Sequence, residues 1–165
     1  MAIANVPSTL EEVIAATDQA LAMAPVEYPP TLPAKHELLG APDWYPFEHE
    51  AWPVGEAIRH AFKAHPSLKR DSRAIEAVLH VIEHRHLRRG RQSFVMAISF
   101  VAARPFAPRV AAFLADPDID GQVIRTLIGM KAAGYADAVR PHLSARHAWI
   151  RRYAKRYLER FSVAA

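Results

Sequence analysis

Apolar residues recur at spacings of three and four in one segment of the chain after another, and Pro or Gly residues separate these segments. This spacing places apolar side chains on one face of a helix, where they can face a core. In residues 72–89, Ile75, Val78 and Ile82 form such a stripe, and Gly90 is suited to end the helix. No segment alternates apolar and polar residues for long enough to build a sheet. The sequence therefore predicts an all-α fold.

The chain has the length of one domain. Its 165 residues are enough to bury a core, so we expect a single helical domain over residues 1–165. Residues 1–52 are predicted to form an N-terminal helix followed by a less regular segment that is rich in Pro and aromatic residues. Pro53 is suited to the first position of a helix, so the helical body is expected over residues 53–165.

Composition narrows the chemistry that the chain can perform. There is no Cys, so disulfides and thiolate chemistry are excluded, and a metal site would need His, Asp or Glu. No uncharged stretch reaches the roughly 18 apolar residues of a membrane span. Glu11, Glu12 and Asp18 interrupt the apolar residues near the N-terminus, which is unlike a secretion signal. We therefore expect a cytoplasmic protein without a membrane partner.

Charge is divided unevenly between the two halves of the chain. Residues 1–83 hold 6 Lys/Arg and 12 Asp/Glu, whereas residues 84–165 hold 15 and 5, within a net charge of +4. Such polarity biases the choice of a charged partner and its rate of approach. The alternative is that the two halves attract each other or that solvent screens the charges.

Two segments in the second half of the chain resemble each other. Residues 105–114 read PFAPRVAAFL and residues 134–143 read GYADAVRPHL, at an offset of 29. The matched pairs are Ala107 with Ala136, Val110 with Val139, and Leu114 with Leu143. After each segment come a short polar turn and a longer helical pattern with an Arg behind its first apolar residues. A repeat of this length indicates stacked helical units.

The stretch FLADPDIDGQVIRTLIGMKAAGYADAVRPHL and its continuation SARHAWIRRYAKRYL, within residues 92–161, resemble a HEAT-like repeat. The resemblance implies antiparallel helical hairpins that stack as a short α-solenoid, because one hairpin cannot bury its own apolar face. We expect Arg125 and Arg152 to tie their helices to the acidic turn at residues 116–120. These features predict a scaffold rather than a catalyst.

Curved helical stacks present extended surfaces, so the resemblance implies a protein–protein interaction module. A specific version is an immunity or inhibitor protein that needs no cofactor and blocks a toxin or an enzyme by covering its surface. An acidic segment with aromatic anchors would suit a cationic partner such as a nuclease. The residues expected on this surface are Trp44, Tyr45, Glu48, Glu50, Trp52 and Glu56. The alternative for the rings is that they cover one end of the core.

The C-terminal helical pattern, RHAWIRRYAKRYLER, indicates a different function, which is binding of nucleic acid. Cations can bind phosphates, and aromatic rings can stack on bases. The candidate residues are Arg151, Arg152, Lys155, Arg156, Trp149 and Tyr153. The alternative is an amphipathic capping helix whose polar outer face keeps a helical stack soluble.

The third hypothesis is a metalloenzyme that uses His and carboxylate ligands. His80 and His84 are four residues apart, and Glu83 and His86 have the Glu-x-x-His spacing of di-iron bundles. The alternative is that these His residues are solvated or hydrogen-bonded. The sequence has neither a Gly-x-Ser-x-Gly motif nor a glycine-rich phosphate loop, so it argues for no particular enzyme.

Overall fold

A computed structural model describes residues 5–28 and 44–161. None of these residues lies in a β-strand, which confirms the predicted all-α class. The α-helices are α1 (Leu10–Ala22), α2 (Pro46–Ala64), α3 (Pro66–Arg70), α4 (Ser72–Glu83), α5 (Gln92–Ala97), α6 (Ala107–Ala111), α7 (Asp120–Gly129), α8 (Ala136–Val139) and α9 (Ala148–Phe161). Three 3₁₀ segments, Arg85–Arg91, Val101–Phe106 and Arg140–Ser144, connect some of them. No helix in the described ranges is long and apolar enough to cross a membrane.

Helix α1 begins at a capping box. The Thr9 hydroxyl accepts a hydrogen bond of 3.2 Å from the Glu12 backbone N–H, and the Glu12 carboxylate accepts one of 3.3 Å from the Thr9 N–H. Hydrogen bonds from Ser8 lower the pKa of Glu12. Helix α1 then buries Val13 and Ala20, mainly against α4.

Helix α2 begins at Pro46, well before the predicted start at Pro53. Pro46 takes the first helical position, and the carboxylate of Glu48 accepts a hydrogen bond of 2.6 Å from the Tyr45 N–H. Pro53 therefore lies inside the helix, where it leaves the His49 carbonyl without its helical hydrogen bond. The sequence prediction was wrong here because two prolines compete for the same role. The predicted irregular segment otherwise falls mostly on residues 29–43, which lie outside the described residues.

The short helix α5 lies at the centre of the core. Its fully buried residues are Phe94 and Val95, together with Ile98 directly after its last turn. Helix α5 packs against α2, α4 and α7. Gly55 permits α2 to approach α5 closely, because a Cβ atom there would lie 2.1 Å from the Ser93 Oγ and 2.8 Å from the Phe94 backbone N. The missing side chain therefore sets the distance between α2 and α5.

A buried ion pair joins the start of α5 to the acidic turn before α7. Arg91 is 1 % exposed and Asp116 is 8 % exposed. The guanidinium of Arg91 donates a hydrogen bond of 2.8 Å to Asp116 and bonds of 2.8 and 3.1 Å to the carbonyls of Arg88 and Ile82. The second oxygen of Asp116 accepts the Asp118 N–H at 3.1 Å, so both oxygens are bonded. This network satisfies the polar groups that the fold buries here.

The prediction that Arg125 and Arg152 hold the acidic turn is not what the structure shows. Arg91 holds Asp116 from within the core. Three exposed or half-buried cations of the 3₁₀ segment Arg85–Arg91 approach the turn from outside, at 3.6–3.9 Å. The prediction missed this arrangement because the cations come from the preceding helical unit.

The C-terminal helix α9 packs against α7 through another glycine. A Cβ atom at Gly121 would lie 2.2 Å from the ring of Trp149, so α9 approaches α7 closely at this point. Further along α9, the buried Tyr157 hydroxyl donates a hydrogen bond of 2.7 Å to the Ala132 carbonyl and accepts one of 3.2 Å from the Tyr135 N–H. Burial raises the pKa of Tyr157. These contacts fix α9 against the rest of the molecule.

We predict that Gly55→Ala destabilises the protein by about 1–3 kcal/mol, because the added methyl group overpacks the α2–α5 contact. In an open helix the same change would stabilise by about 1 kcal/mol. Urea denaturation of Gly55→Ala, Ser93→Gly and the double variant checks this prediction. Ser93→Gly should reduce the loss of stability that Gly55→Ala causes, because it removes the hydroxyl group that the added methyl group would meet. Unchanged or increased stability of Gly55→Ala would contradict it.

We also predict that Asp116→Asn destabilises the protein by about 3 kcal/mol, because it removes the carboxylate 2.8 Å from the buried Arg91 cation and leaves only the partly exposed Asp118, at 3.9 Å, as its counterion. The matched control is Asp137→Asn, because the fully exposed Asp137 lies 3.7 Å from the exposed Arg140 and so belongs to an ion pair at the surface. The control should change stability by less than about 1 kcal/mol. Equal effects of the two substitutions in urea denaturation would refute the proposed importance of the buried pair.

Candidate functional site

A cleft of about 500 Å³ lies between helices α2, α3, α5 and α7. Its lining combines apolar side chains with cations, Ser99 and a single carboxylate. The lining residues are Trp52, Glu56, Arg59, Phe62, Lys63, Lys69, Met96, Ala97, Ser99, Phe100 and Arg125. This size lies within the range of about 300–1,000 Å³ that is usual for small-ligand sites.

Helix α2 supplies one wall of the cleft. Trp52, Glu56, Arg59 and Lys63 follow one another at spacings of four, three and four residues, so they share a helix face. Buried residues of α2 such as Ile58 and Ala61 point to the core instead. The amphipathic pattern of α2 therefore places a row of polar and aromatic side chains along the cleft.

The floor of the cleft is apolar. Phe62 is 1 % exposed and Ala97 is 3 % exposed, so both belong to the core as well as to the cleft. The ring of Phe100 meets the ring of Phe62 edge to face, with centroids 5.3 Å apart. The Sδ atom of Met96 adds a polarisable group. A ligand with an apolar or aromatic part could therefore bury that part on this floor.

The single carboxylate of the lining is already paired. Arg59 donates a hydrogen bond of 2.6 Å to Glu56, and the pair is partly exposed. Hydrogen bonding to Glu56 raises the pKa of the Arg59 guanidinium. This pair contributes no net charge to the cleft.

Three other cations give the cleft its charge. Among the described residues, no carboxylate lies within 4.0 Å of Lys63, Lys69 or Arg125. The Lys69 ammonium lies 5.6 Å from the ring centroid of Phe100, and the Arg125 Nη1 lies 3.5 Å from the Met96 Sδ. Three cations beside low-dielectric apolar walls create a local positive potential.

Arg125 connects the cleft to helix α9. Its guanidinium lies 5.9 Å from the ring centroid of Tyr153, which in turn lies edge to face with Trp149 at 6.2 Å. Arg152 approaches the same Tyr153 ring at 6.0 Å. Arg125 therefore links the lining of the cleft to Tyr153 and Arg152 of α9. We use the name basic band for the lining of the cleft together with the α9 residues Arg152, Tyr153 and Arg156.

The six residues of the predicted acidic surface differ in their exposure and in their contacts in the structure. Tyr45 is only 7 % exposed, and Glu48 is fully buried, where it also accepts a 3.0 Å hydrogen bond from the Arg89 N–H. Neither side chain is free to contact a partner, because the Tyr45 ring is stacked with Tyr28 and Phe47 and the Glu48 carboxylate is bonded to two backbone N–H groups. Glu56 is paired with Arg59 in the cleft. The acidic surface is therefore not formed as the sequence predicts.

The other members of that set remain at the surface. The partly buried rings of Trp44 and Trp52 lie 5.5 Å apart, and Glu50 is exposed. Trp52 also lines the cleft, so the tryptophan pair borders it.

The candidate nucleic-acid residues of α9 have different surroundings. Arg151 donates hydrogen bonds of 2.7 and 2.9 Å to the Ala145 and Arg146 carbonyls, so its side chain holds the turn that precedes α9. Lys155 lies 3.7 Å from Glu159. The ring of Trp149 packs on Gly121. Of the predicted set, Arg152, Tyr153 and Arg156 are left for an outer surface, since Arg152 and Arg156 are exposed and Tyr153 is half-buried.

The candidate metal ligands are not arranged as the sequence predicts. Helix α4 ends at Glu83, and His84 has the non-helical angles φ −81° and ψ 84°, so His80 and His84 do not share a helix face. Glu83 is bound by Arg109 at 2.8 Å, and the His86 Nδ1 lies 3.2 Å from the Pro25 carbonyl. The described parts of the chain contain no group of three or more His, Asp or Glu side chains that could hold a metal ion.

The chain matches no protein-family model, no curated protein and no solved structure. The geometry of the cleft therefore carries the functional argument.

Sequence reasoning missed most of the cleft. The sequence did not predict four of the lining residues, because they come from three separate segments that meet only in the fold. These residues are Lys63, Lys69, Met96 and Phe100. One signal was present, since residues 52, 56, 59 and 63 have helical spacing. This spacing was not recognised because the helix was predicted to begin at Pro53, which leaves residue 52 outside it.

Proposed function

We propose that the protein is a non-catalytic helical interaction module that binds a negatively charged partner in the cleft. The observation that carries this proposal is the convergence of Lys63, Lys69 and Arg125, without nearby carboxylates in the described residues, on an apolar floor. An anionic group would gain these cations as partners, while an attached apolar group would bury area on Phe100 and Met96. The cleft lining contains no His, and its carboxylate is held by Arg59, which favours binding over acid–base catalysis.

The scaffold in this proposal is a short HEAT-like stack of helical hairpins. The order of elements supports it, since α6 packs on α7, α8 packs on α9, and α7 packs on α9. The matched residues Val110 and Val139 are both fully buried. The matched residues Leu114 and Leu143 differ, because Leu114 is buried whereas Leu143 is 42 % exposed.

The sequence predicts a cationic partner, whereas the proposed partner is anionic. A cationic partner would need the acidic surface, but Glu48 is buried and Glu56 is paired. The basic band instead brings Lys63, Lys69 and Arg125 to a concave site, with no carboxylate of the described residues within 4.0 Å of them. Electrostatic complementarity at such a site raises the association rate and selects the sign of the partner.

The proposal predicts that a fluorescein-labelled acidic peptide with a central Phe binds the protein at low ionic strength and is released by salt. Lys63→Glu and Arg125→Glu should each weaken binding by about tenfold or more, because each leaves a repelling charge in the cleft. The matched control is Arg146→Glu, which makes the same charge change at an exposed position outside the cleft. Fluorescence anisotropy at several salt concentrations provides the measurement. A control that weakens binding as much as the cleft variants would exclude the cleft as the site.

A second candidate function is the predicted inhibitor that covers a toxin or an enzyme. The observation in its favour is the pair of partly buried rings of Trp44 and Trp52, 5.5 Å apart, beside the exposed Glu50. Tryptophan is the residue type most often found at energetically dominant contacts. Such a protein would act by steric blockade without a cofactor.

Affinity purification from native extract separates the two candidates. Trp44 is absent from the cleft lining, so Trp44→Ala should release an inhibited protein while Lys63→Glu retains it. The opposite result, with loss on Lys63→Glu and retention on Trp44→Ala, would reject the inhibitor surface in favour of the cleft.

A further inference from the structure

We propose that the negatively charged partner is single-stranded nucleic acid, and that one strand runs from the cleft over Arg125 to the outer face of α9. This inference rests on the proposed function, because it names the class of partner that the cleft binds. Four features of the basic band support it: its continuity, the surroundings of its cations, its rings and its shape.

The first feature is continuity across Arg125. The guanidinium of this residue touches Met96 in the cleft at 3.5 Å and lies 5.9 Å from the Tyr153 ring on α9. One side chain therefore belongs to both parts of the band. A ligand that reached only into the cleft would leave the α9 part unused, whereas an extended strand can contact both.

The second feature is the set of cations on α9. Among the described residues, no carboxylate lies within 4.0 Å of Arg152 or Arg156, and both are exposed. Lys155, in contrast, lies 3.7 Å from Glu159. The unpaired cations of α9 thus add to those of the cleft, since Arg125 and Arg152 both approach the Tyr153 ring. A strand with one charge per nucleotide can pair with several such cations at once.

The third feature is the interleaving of rings with these cations. Trp52 lies at the cleft wall and Tyr153 lies on α9, and both are half-buried, so part of each ring remains accessible. Aromatic rings stack on bases with little regard to sequence. A single strand offers a base beside every phosphate, so it can use the cations and the rings of the band together.

The fourth feature is concave shape. The cleft of about 500 Å³ has room for one nucleotide unit with an unstacked base. A base in a duplex is stacked and paired, so it cannot enter such a cleft without leaving the helix. The geometry therefore favours a single strand over a duplex.

The test is fluorescence anisotropy with a fluorescein-labelled oligothymidylate of about twelve nucleotides, a length that suits extended single-strand sites. We expect binding that weakens steeply between about 50 and about 200 mM salt. Lys63→Glu in the cleft, Arg125→Glu at the junction and Arg152→Glu on α9 should each weaken it by about tenfold. Arg146→Glu, the exposed control, should weaken it by less than about threefold.

Two further variants test the stacking argument. Tyr153→Ala should weaken oligothymidylate binding by about fivefold or more, since base–aromatic stacking contributes to binding, whereas Tyr153→Phe should retain it. Circular dichroism of each variant confirms that it is folded. Equal losses for Tyr153→Ala and Tyr153→Phe would overturn the stacking role.

Three probes distinguish this inference from the proposed function on which it rests: the oligothymidylate, a DNA duplex of the same length and the acidic peptide. Cleft-dependent binding of the peptide without binding of the oligothymidylate would overturn the nucleic-acid inference and leave the proposed function standing. Absence of binding for all three probes would overturn both. Duplex binding as tight as single-strand binding, or oligothymidylate binding unaffected by Arg152→Glu, would overturn the proposed path of the strand.

Discussion

The contact on which the rest of the structure depends is the buried ion pair of Arg91 and Asp116. Arg91 ends the 3₁₀ segment before α5, and Asp116 belongs to the turn before α7, so this pair joins the two helices that carry Met96 and Arg125. Arg91 also bonds the Ile82 carbonyl near the end of α4. A buried charge tolerates little displacement, because any loss of its partners leaves it desolvated and unpaired. The polar centre of the core therefore determines where the cleft residues lie.

Close helix approach then gives the cleft its shape. Gly55 brings α2 onto Ser93 and Phe94 of α5, and Gly121 brings α7 onto Trp149 of α9. Because α2, α5, α7 and α9 are drawn together in this way, cations from distant parts of the sequence converge although like charges repel. Binding of an anion would offset the repulsion between these cations, and this is the physical basis of the proposed function.

Much of the fold could be predicted from periodicity, whereas most of the site could not. The stripe of Ile75, Val78 and Ile82 correctly indicated α4, because helical spacing of apolar residues is a local signal, but the helix ends at Glu83 rather than just before Gly90 as predicted. The burial of Glu48 was not predictable, since it depends on the Arg89 N–H, which lies far along the chain. The cleft likewise needs α2, α3, α5 and α7 in place before its lining exists. Local sequence determines helices, but packing determines which polar side chains are free.

The central claim is that the cleft of the basic band is where the protein binds its partner. The most direct measurement is a ¹H–¹⁵N NMR titration of the protein with the oligothymidylate and, separately, with the acidic peptide. The account predicts that the largest shifts occur at Lys63, Lys69, residues 96–100 and Arg125, with smaller shifts at Tyr153. Shifts centred on Trp44 and Glu50, or shifts spread evenly over the exposed cations, would contradict it.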